Sequence, residues 1–159
     1  MKFLADGMLG KLTRWLRMLG HDVKYSNMLD DDELSAIAKK ERRILLTKDL
    51  ELYQRATAKG IKAFYVAGET EAARLAELAK WFGFSLVIDL KNSRCPKCNT
   101  KLRAVPKEKV AGKVEKNTFN HYSNFWNCPR CGQIYWQGAH WNRIDATLKA
   151  AGEKLKEKA

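Results

Sequence analysis

Four cysteines arranged as two Cys-x-x-Cys pairs place the strongest constraint on how this chain can fold. The pairs are Cys95-Pro96-Lys97-Cys98 and Cys128-Pro129-Arg130-Cys131, and each can supply two thiolates from one tight turn. Zn²⁺ in structural sites prefers four such ligands in a tetrahedron, whereas a redox-active pair would not need a second copy. We therefore predict a zinc ribbon that holds one structural zinc ion through Cys95, Cys98, Cys128 and Cys131. Because four protein ligands leave no open position, this zinc is not expected to catalyse a reaction.

The length and the apolar pattern restrict the class of protein. A chain of 159 residues suits one modest core with a small appendage. No stretch approaches the apolar length of a membrane span, and Asp6 follows the start too early for a signal peptide. We therefore expect a soluble, cytoplasmic protein, in which disulfide bonds, the alternative use of the cysteines, are disfavoured.

The positive charge is concentrated in the part of the chain that contains the cysteines. Residues 91–159 carry 15 Lys/Arg against 5 Asp/Glu, a net charge of +10, whereas residues 1–90 carry 15 against 13. Such asymmetry indicates a polyanionic partner, and nucleic acid is the commonest one. The alternative is a basic surface that serves solubility, or the charged exterior of a thermophile protein.

Before the cysteines, short apolar segments alternate with segments of helical periodicity. The predicted strands are 2–5, 23–25, 44–47, 61–66 and 84–88. The predicted helices are 9–20, 30–38, 49–53 with its extension, and 69–82, and a charged helix is predicted over 142–158. Alternation of strands and helices implies a parallel sheet with helices on both faces. We therefore predict an α/β domain over 1–90, and a zinc ribbon with a C-terminal helix over 91–159.

Acidic residues follow two of the predicted strands. Asp6 ends the first strand, Asp49 follows the third, and the acidic run 30–33 opens the second helix. Functional groups in parallel α/β domains gather at the carboxyl ends of the strands. If these segments lie side by side, their carboxylates would need a hard cation such as Mg²⁺ or Mn²⁺, which could activate water for phosphodiester cleavage. The alternative is that the acidic residues only cap helices.

Several motifs resemble those of the Mut-seven C-terminal RNase family, a branch of the PIN-like nucleases. They are Phe3-Leu4-Ala5-Asp6 with the segment Leu9 to Gly20, Asp31-Asp32-Glu33-Leu34, Arg43 to Asp49, Ser93 to Asn99, Phe125-Trp126-Asn127-Cys128, and Tyr135 to Trp141. The resemblance implies a PIN-like three-layer α/β/α domain with a short parallel sheet, followed by a zinc ribbon and a C-terminal helix. It also implies RNA as the substrate class and Mg²⁺ or Mn²⁺ as the catalytic ion.

The resemblance also implies which acidic residues serve the site. Asp6 and Asp49 match the acidic positions that end the first and third strands, and Asp31 matches the second segment, where Asp30, Asp32 or Glu33 could serve instead. Glu51 lies where related proteins often carry a further acid, and Asp89 is a weaker candidate. The chain departs from the family pattern at two places. Many relatives have an acid after the fourth strand, where this chain offers only Glu69. Many also have a small polar residue after Asp6, where this chain has Gly7-Met8.

Basic and aromatic residues provide candidate RNA contacts. Lys11, Arg14, Arg17 and Lys48 are expected near the acidic residues, where they could bind phosphates. In the ribbon, Lys97, Arg130, Trp126 and Trp136 belong to a mixture of cations and aromatic rings that is typical of single-stranded RNA binding. The alternatives are solvated ion pairs for the cations and a ribbon core for the aromatic rings. The leading hypothesis is a metal-dependent endoribonuclease. Its rival is a non-catalytic RNA-binding module, or one that docks onto a ribosome or a processing complex.

Overall fold

The structure is a computed structural model that describes residues 1–157, and its N-terminal part is built on a parallel sheet of four strands. These are β1 (Lys2–Ala5), β2 (Asp22–Tyr25), β3 (Ile44–Thr47) and β4 (Ala63–Tyr65), in the order β2-β1-β3-β4. Ala5 at the end of β1 pairs with Tyr25 of β2 on one side and with Leu46 of β3 on the other. The carboxyl ends of the strands therefore meet at one edge, as predicted.

Helices cover both faces of this sheet. They are α1 (Gly10–Met18), α2 (Asp31–Glu41), α3 (Leu50–Ala58) and α4 (Glu71–Phe82). Alternate residues of β1 supply the two halves of the core: Phe3 packs with Leu12 and Leu75 on one face, and Leu4 packs with Leu34 on the other. The three-layer α/β/α arrangement is confirmed.

The starts of the helices follow from local capping. The Asp30 side chain accepts a hydrogen bond from the Glu33 amide of α2 while Glu33 reaches back, which forms a capping box. Asp49 caps α3 through the amides of Glu51 and Leu52. Asp30 and Asp49 therefore both cap helices, which is the alternative role that the sequence left open for the acidic residues.

The predicted fifth strand, 84–88, is not formed. This segment pairs with no strand among residues 1–157, and its side chains alternate between the core and solvent. Phe84, Leu86 and Ile88 pack against the same core as Phe3, whereas Val87 is exposed. The alternation that suggests a strand therefore comes from packing against the α/β domain and not from pairing in a sheet.

The remainder of the described chain forms the ribbon and a long helix. The ribbon contains β5 (Arg103–Val105), β6 (Phe125–Asn127) and β7 (Ile134–Tyr135) in an antiparallel sheet, with α5 (Lys116–His121) between β5 and β6. The last helix, α6 (Trp141–Glu157), returns to the α/β domain, where it packs on α4 and contributes Leu148 and Ala151 to the core. Lys158, the last residue of the predicted helix, lies outside the described residues. None of the helices within 1–157 has the length and apolar character needed to cross a membrane.

Candidate functional site

The four cysteine sulfurs form one tight group at the base of the ribbon. Cys95 Sγ lies 3.7 Å from Cys131 Sγ, and Cys98 Sγ lies 3.2 Å from Cys128 Sγ, and no disulfide joins them. All four ligand atoms lie within 4.8 Å of one another. A tetrahedron with Zn–S bonds of about 2.3 Å has edges of about 3.8 Å. The group therefore fits the predicted structural zinc ion.

The pKa values of two of the thiols shift in opposite directions. Burial raises the pKa of the Cys98 thiol, but hydrogen bonds with Thr100 and neighbouring thiols outweigh it and lower the value to about 6. The Cys128 thiol shifts in the opposite direction, to a pKa of about 11, chiefly because of burial. Metal-bound cysteines are thiolates, so Zn²⁺ would deprotonate both of these groups. Burial also raises the pKa of Tyr135, whose hydroxyl lies at hydrogen-bond distance, 3.1 Å, from Cys95 Sγ.

The first cysteine pair is bonded directly to the α/β domain. Asn99 has a left-handed backbone (φ 71°), and its side chain accepts a hydrogen bond from the Val23 amide at 3.0 Å and donates one to Asp22 Oδ1 at 2.7 Å. Ser93 Oγ donates to the Met18 carbonyl at 2.6 Å. Gly20 allows this close approach, because a Cβ there would lie 2.9 Å from the Asn92 carbonyl oxygen. These hydrogen bonds hold the segment of the first cysteine pair against α1 and β2, and we call this contact the joint.

Arg17 is part of this joint and not of an exposed basic surface. Its Nε and Nη2 donate to the Val23 carbonyl at 3.0 and 2.7 Å, and its Nη1 donates to the Pro96 carbonyl at 2.9 Å. The side chain is buried, and this burial lowers its pKa, although the nearby thiols of Cys95 and Cys98 act in the opposite direction. Arg14, one turn earlier, is exposed. Of these two predicted phosphate contacts, Arg17 therefore lies in the interior and Arg14 in solvent.

Replacing Arg17 by methionine is expected to destabilise the protein by about 3 kcal/mol, because the carbonyls of Val23 and Pro96 would be left without their donor. The matched change Arg14→Met removes an exposed side chain and should alter the free energy of unfolding by less than about 0.5 kcal/mol. Urea unfolding followed by circular dichroism measures both. Equal stability of the two variants would contradict the assignment of Arg17 to the joint.

At the carboxyl ends of β1 and β3, the Asp6 side chain and the Asp49 main chain are both hydrogen-bonded to the side chain of Thr47. Thr47 Oγ1 donates to Asp6 Oδ2 and accepts a hydrogen bond from the Asp49 amide at 2.9 Å. Asp6 is only 6% exposed, and its Oδ1 accepts from the Met8 amide at 3.0 Å. Asp49 is exposed, and both of its capping bonds use Oδ1. Thr47 is a functional candidate that the sequence reasoning missed.

Two acidic residues of α2 lie near cations of α3 and of the residue that ends it. Asp31 forms an ion pair with Arg55, and Asp32 Oδ1 lies 3.7 Å from Lys59 Nζ. Within residues 1–157, the cysteines are the one group of three or more potential metal ligands with their ligand atoms this close together. The structure thus links Asp6 to Asp49 through Thr47 but does not gather Asp31 with them into such a group.

The other predicted acids lie in separate places. Glu51 is exposed in the first turn of α3, and Asp89 accepts hydrogen bonds from Lys91 and Asn92 in the turn before the ribbon. Glu69 is exposed in the loop after β4.

A further acid, which was not among the predicted site residues, reaches the loop after β4 from α4. The Glu77 carboxylate, from α4, accepts hydrogen bonds from the amides of Ala67 and Gly68 at 3.0 and 2.9 Å. No sequence spacing marks this contact, because it joins a helix to a loop through tertiary packing.

The remaining predicted RNA contacts are distributed over both parts of the molecule. Lys11 and Arg130 are exposed, and Lys97 Nζ donates to Gln133 Oε1 at 2.9 Å. Lys48 Nζ lies 3.5 Å from the Gly68 carbonyl oxygen in the loop after β4. Trp126 packs in the ribbon core, and its Nε1 is buried without a hydrogen-bond partner in the described chain. Trp136 is half-buried beside Phe125, with ring centroids 6.1 Å apart.

Comparison with known proteins identifies one family. A family model described as Mut7-C RNAse domain matches residues 1–148 of the 159-residue chain. No curated protein and no solved structure matches the chain. The match spans the parallel sheet, all four cysteines and the start of α6.

Proposed function

The chain belongs to the Mut7-C RNAse domain family, and we propose on that premise that it is an endoribonuclease that hydrolyses RNA phosphodiester bonds at the Asp6–Asp49 edge of the sheet. The family itself suggests a ribonuclease-type function. The metal ion, the RNA-binding role of the ribbon and the residues of the site are our proposal.

The observation that carries this proposal is a buried carboxylate that has hydrogen bonds but no cation partner. Asp6 is buried at the edge of the sheet, and neither Asp6 nor Asp49 forms an ion pair within residues 1–157. The α2 carboxylates of Asp31 and Asp32, by contrast, each face a cation. Buried charges in proteins are paired or bind metal ions. The Asp6–Asp49 edge therefore offers hard oxygen ligands to a cation that the chain does not supply.

The donor set fits Mg²⁺ or Mn²⁺, which prefer carboxylate oxygens and retain several waters. We propose Asp6 and Asp49 as the ligands, with Asp31 and Glu51 as further predicted contributors. A bound ion of this kind supplies an activated water and neutralises charge on the phosphate. Thr47 holds Asp6 in position through its hydroxyl group, and the Asp49 cap of α3 leaves Oδ2 without a hydrogen bond in the described chain. Lys48 and Lys11 are proposed to bind phosphates next to this edge.

The ribbon is proposed to bind the RNA strand. Residues 91–142 carry ten Lys/Arg against two Asp/Glu, and a cationic surface of this kind attracts a polyanion before any specific contact forms. Since the first cysteine pair is bonded to α1 and β2, RNA bound on the ribbon would be held at a fixed distance from the sheet. The four-cysteine zinc ion is structural in this scheme.

The proposal is tested by incubating the purified protein with single-stranded and stem-loop RNA in the presence of Mn²⁺, of Mg²⁺ or of no added divalent ion. Divalent ions are removed on a resin and not with EDTA, because EDTA would also extract zinc; the zinc content is measured in every sample. We expect internal cleavage that requires Mn²⁺ or Mg²⁺, and no cleavage of DNA of the same sequence. RNA binding without cleavage in any metal would instead support the non-catalytic module.

A further inference from the structure

A cleft of about 470 Å³ lies between the ribbon and the start of α6, away from the residues of the acidic edge. Its walls carry an unusual number of aromatic side chains: Tyr122, Tyr135, Trp136, His140 and Trp141. The volume falls in the range of small-ligand sites, about 300 to 1,000 Å³. The cleft is therefore large enough for a planar ring to enter between side chains.

The cleft is lined in part by an arginine whose hydrogen-bond donors the fold uses only in part. Arg94 lines the cleft, its Nη1 donates to the Asn99 carbonyl at 3.1 Å, and its Nε is buried without a partner among residues 1–157. The guanidinium of Arg94 carries five donors, so it retains donor capacity for an acceptor bound in the cleft. Mainly apolar walls with a few polar groups are typical of a binding site.

The position of Trp136 depends on a glycine. A Cβ added at Gly138 would lie 2.6 Å from Trp136 Nε1 and 3.0 Å from its Cδ1. The indole therefore lies directly against the main chain at Gly138, where the Cβ of any other residue would occupy the same space.

Two exposed cations lie close in the chain to residues that line the cleft. Lys97 is exposed and follows the lining residue Pro96, and Arg143 is exposed one turn after His140 at the start of α6. The ribbon residues 91–142 as a whole carry ten cations against two acids. An aromatic ring attached to a negatively charged chain would complement both the aromatic walls of the cleft and the positive charge of the ribbon.

We propose that this cleft binds one unstacked base of single-stranded RNA, with phosphates of the neighbouring nucleotides on Lys97 and Arg143. The proposal rests on RNA as the ligand of the proposed function and adds a base-binding subsite to it. Aromatic faces stack with any base, and the oxygen or ring nitrogen on the edge of a base can accept from Arg94. Bases paired in a duplex cannot enter such a cleft. The subsite therefore selects single-stranded RNA over duplex RNA.

The first test compares two ligands of equal charge and needs no variant. Binding of an oligouridylate is measured by fluorescence anisotropy against an abasic ribose-phosphate oligomer of the same length, at fixed salt and without Mn²⁺ or Mg²⁺. We expect the oligouridylate to bind about tenfold tighter or more, since stacking of one base contributes that much. Equal affinities would overturn the proposal, because charge alone would then explain binding.

The second test locates the base. An oligouridylate that contains one 5-iodouridine is irradiated with the protein, and crosslinked peptides are identified by mass spectrometry. Crosslinks to the segments that contain Tyr122 or Trp136 support the proposal, and crosslinks confined to other segments overturn it. Gly138→Ala and Trp136→Leu should each reduce the preference for the oligouridylate over the abasic oligomer at least several-fold. Trp81→Leu is the matched control, because Trp81 is 72% exposed on α4.

These outcomes separate the subsite from the proposed function. Metal-dependent cleavage with equal binding of the two oligomers would retain the nuclease and remove the base subsite. Base-dependent binding with no cleavage in any metal would retain the subsite on a non-catalytic RNA-binding protein.

Discussion

Replacing Asp49 by asparagine is expected to lower the rate of metal-dependent RNA cleavage by about a thousandfold, with little change in stability. The change removes one of the two charges proposed to hold Mg²⁺ or Mn²⁺, and loss of several kcal/mol of metal-dependent stabilisation corresponds to a factor of this size. Asparagine is as good a helix cap as aspartate, so the hydrogen bonds to the amides of Glu51 and Leu52 can persist. Single-turnover cleavage rates and thermal unfolding measure the two effects.

The matched control is Asp145→Asn, which makes the same change of charge at an exposed position of α6. This variant should cleave at the wild-type rate. Asp6→Asn should reproduce the loss seen with Asp49→Asn, since both carboxylates are proposed to hold the same ion. Wild-type cleavage by Asp49→Asn, with Asp145→Asn also unchanged, would rule out the acidic edge as the catalytic site. Asp31→Asn, measured in the same series, decides whether this third predicted acid contributes despite its ion pair with Arg55.

The sequence predicts the sheet well because its strands are short apolar runs between clear helix signals. Ile44–Thr47 is entirely apolar up to its last residue, and the Asp49 cap follows two residues later, so the end of the strand is marked. The segment 84–88 has the alternation of a strand but not its pairing. Alternation reports only which side chains face the core, and it does not report whether a neighbouring strand is available for hydrogen bonding.

The candidate site is predictable where it depends on the ends of strands and less so where it depends on tertiary packing. Asp6 and Asp49 were found because parallel strands place their carboxyl ends at one edge. The interior position of Arg17 depends on the first cysteine pair lying against the end of α1, which helical spacing cannot reveal. The contacts of Glu77 and Asn99 are unpredictable for the same reason, since each residue forms hydrogen bonds across elements that are distant in sequence.

Replacing Cys128 by serine is expected to remove zinc and unfold the ribbon. Zinc binding supplies folding free energy on the order of 10 kcal/mol in small zinc domains, and the three strands of the ribbon are only two or three residues long. Cys128 is fully buried in the core that contains Cys95, Leu90 and Leu102. Zinc content should fall from about one ion per chain to about none, as measured by atomic emission spectroscopy.

The loss should also extend beyond the ribbon, because the zinc group is bonded to the sheet. Once Cys95 and Cys98 are released, Asn99 no longer holds Val23 and Asp22, and the Pro96 carbonyl no longer accepts from Arg17. We therefore expect hydrogen exchange to accelerate in β2 and at the end of α1, and to remain slow in α3, which lies on the opposite face. Ser123→Ala, an exposed change in the same ribbon, is the control. A Cys128→Ser protein with one bound zinc ion and wild-type exchange in β2 would contradict both the four-thiolate site and its coupling to the α/β domain.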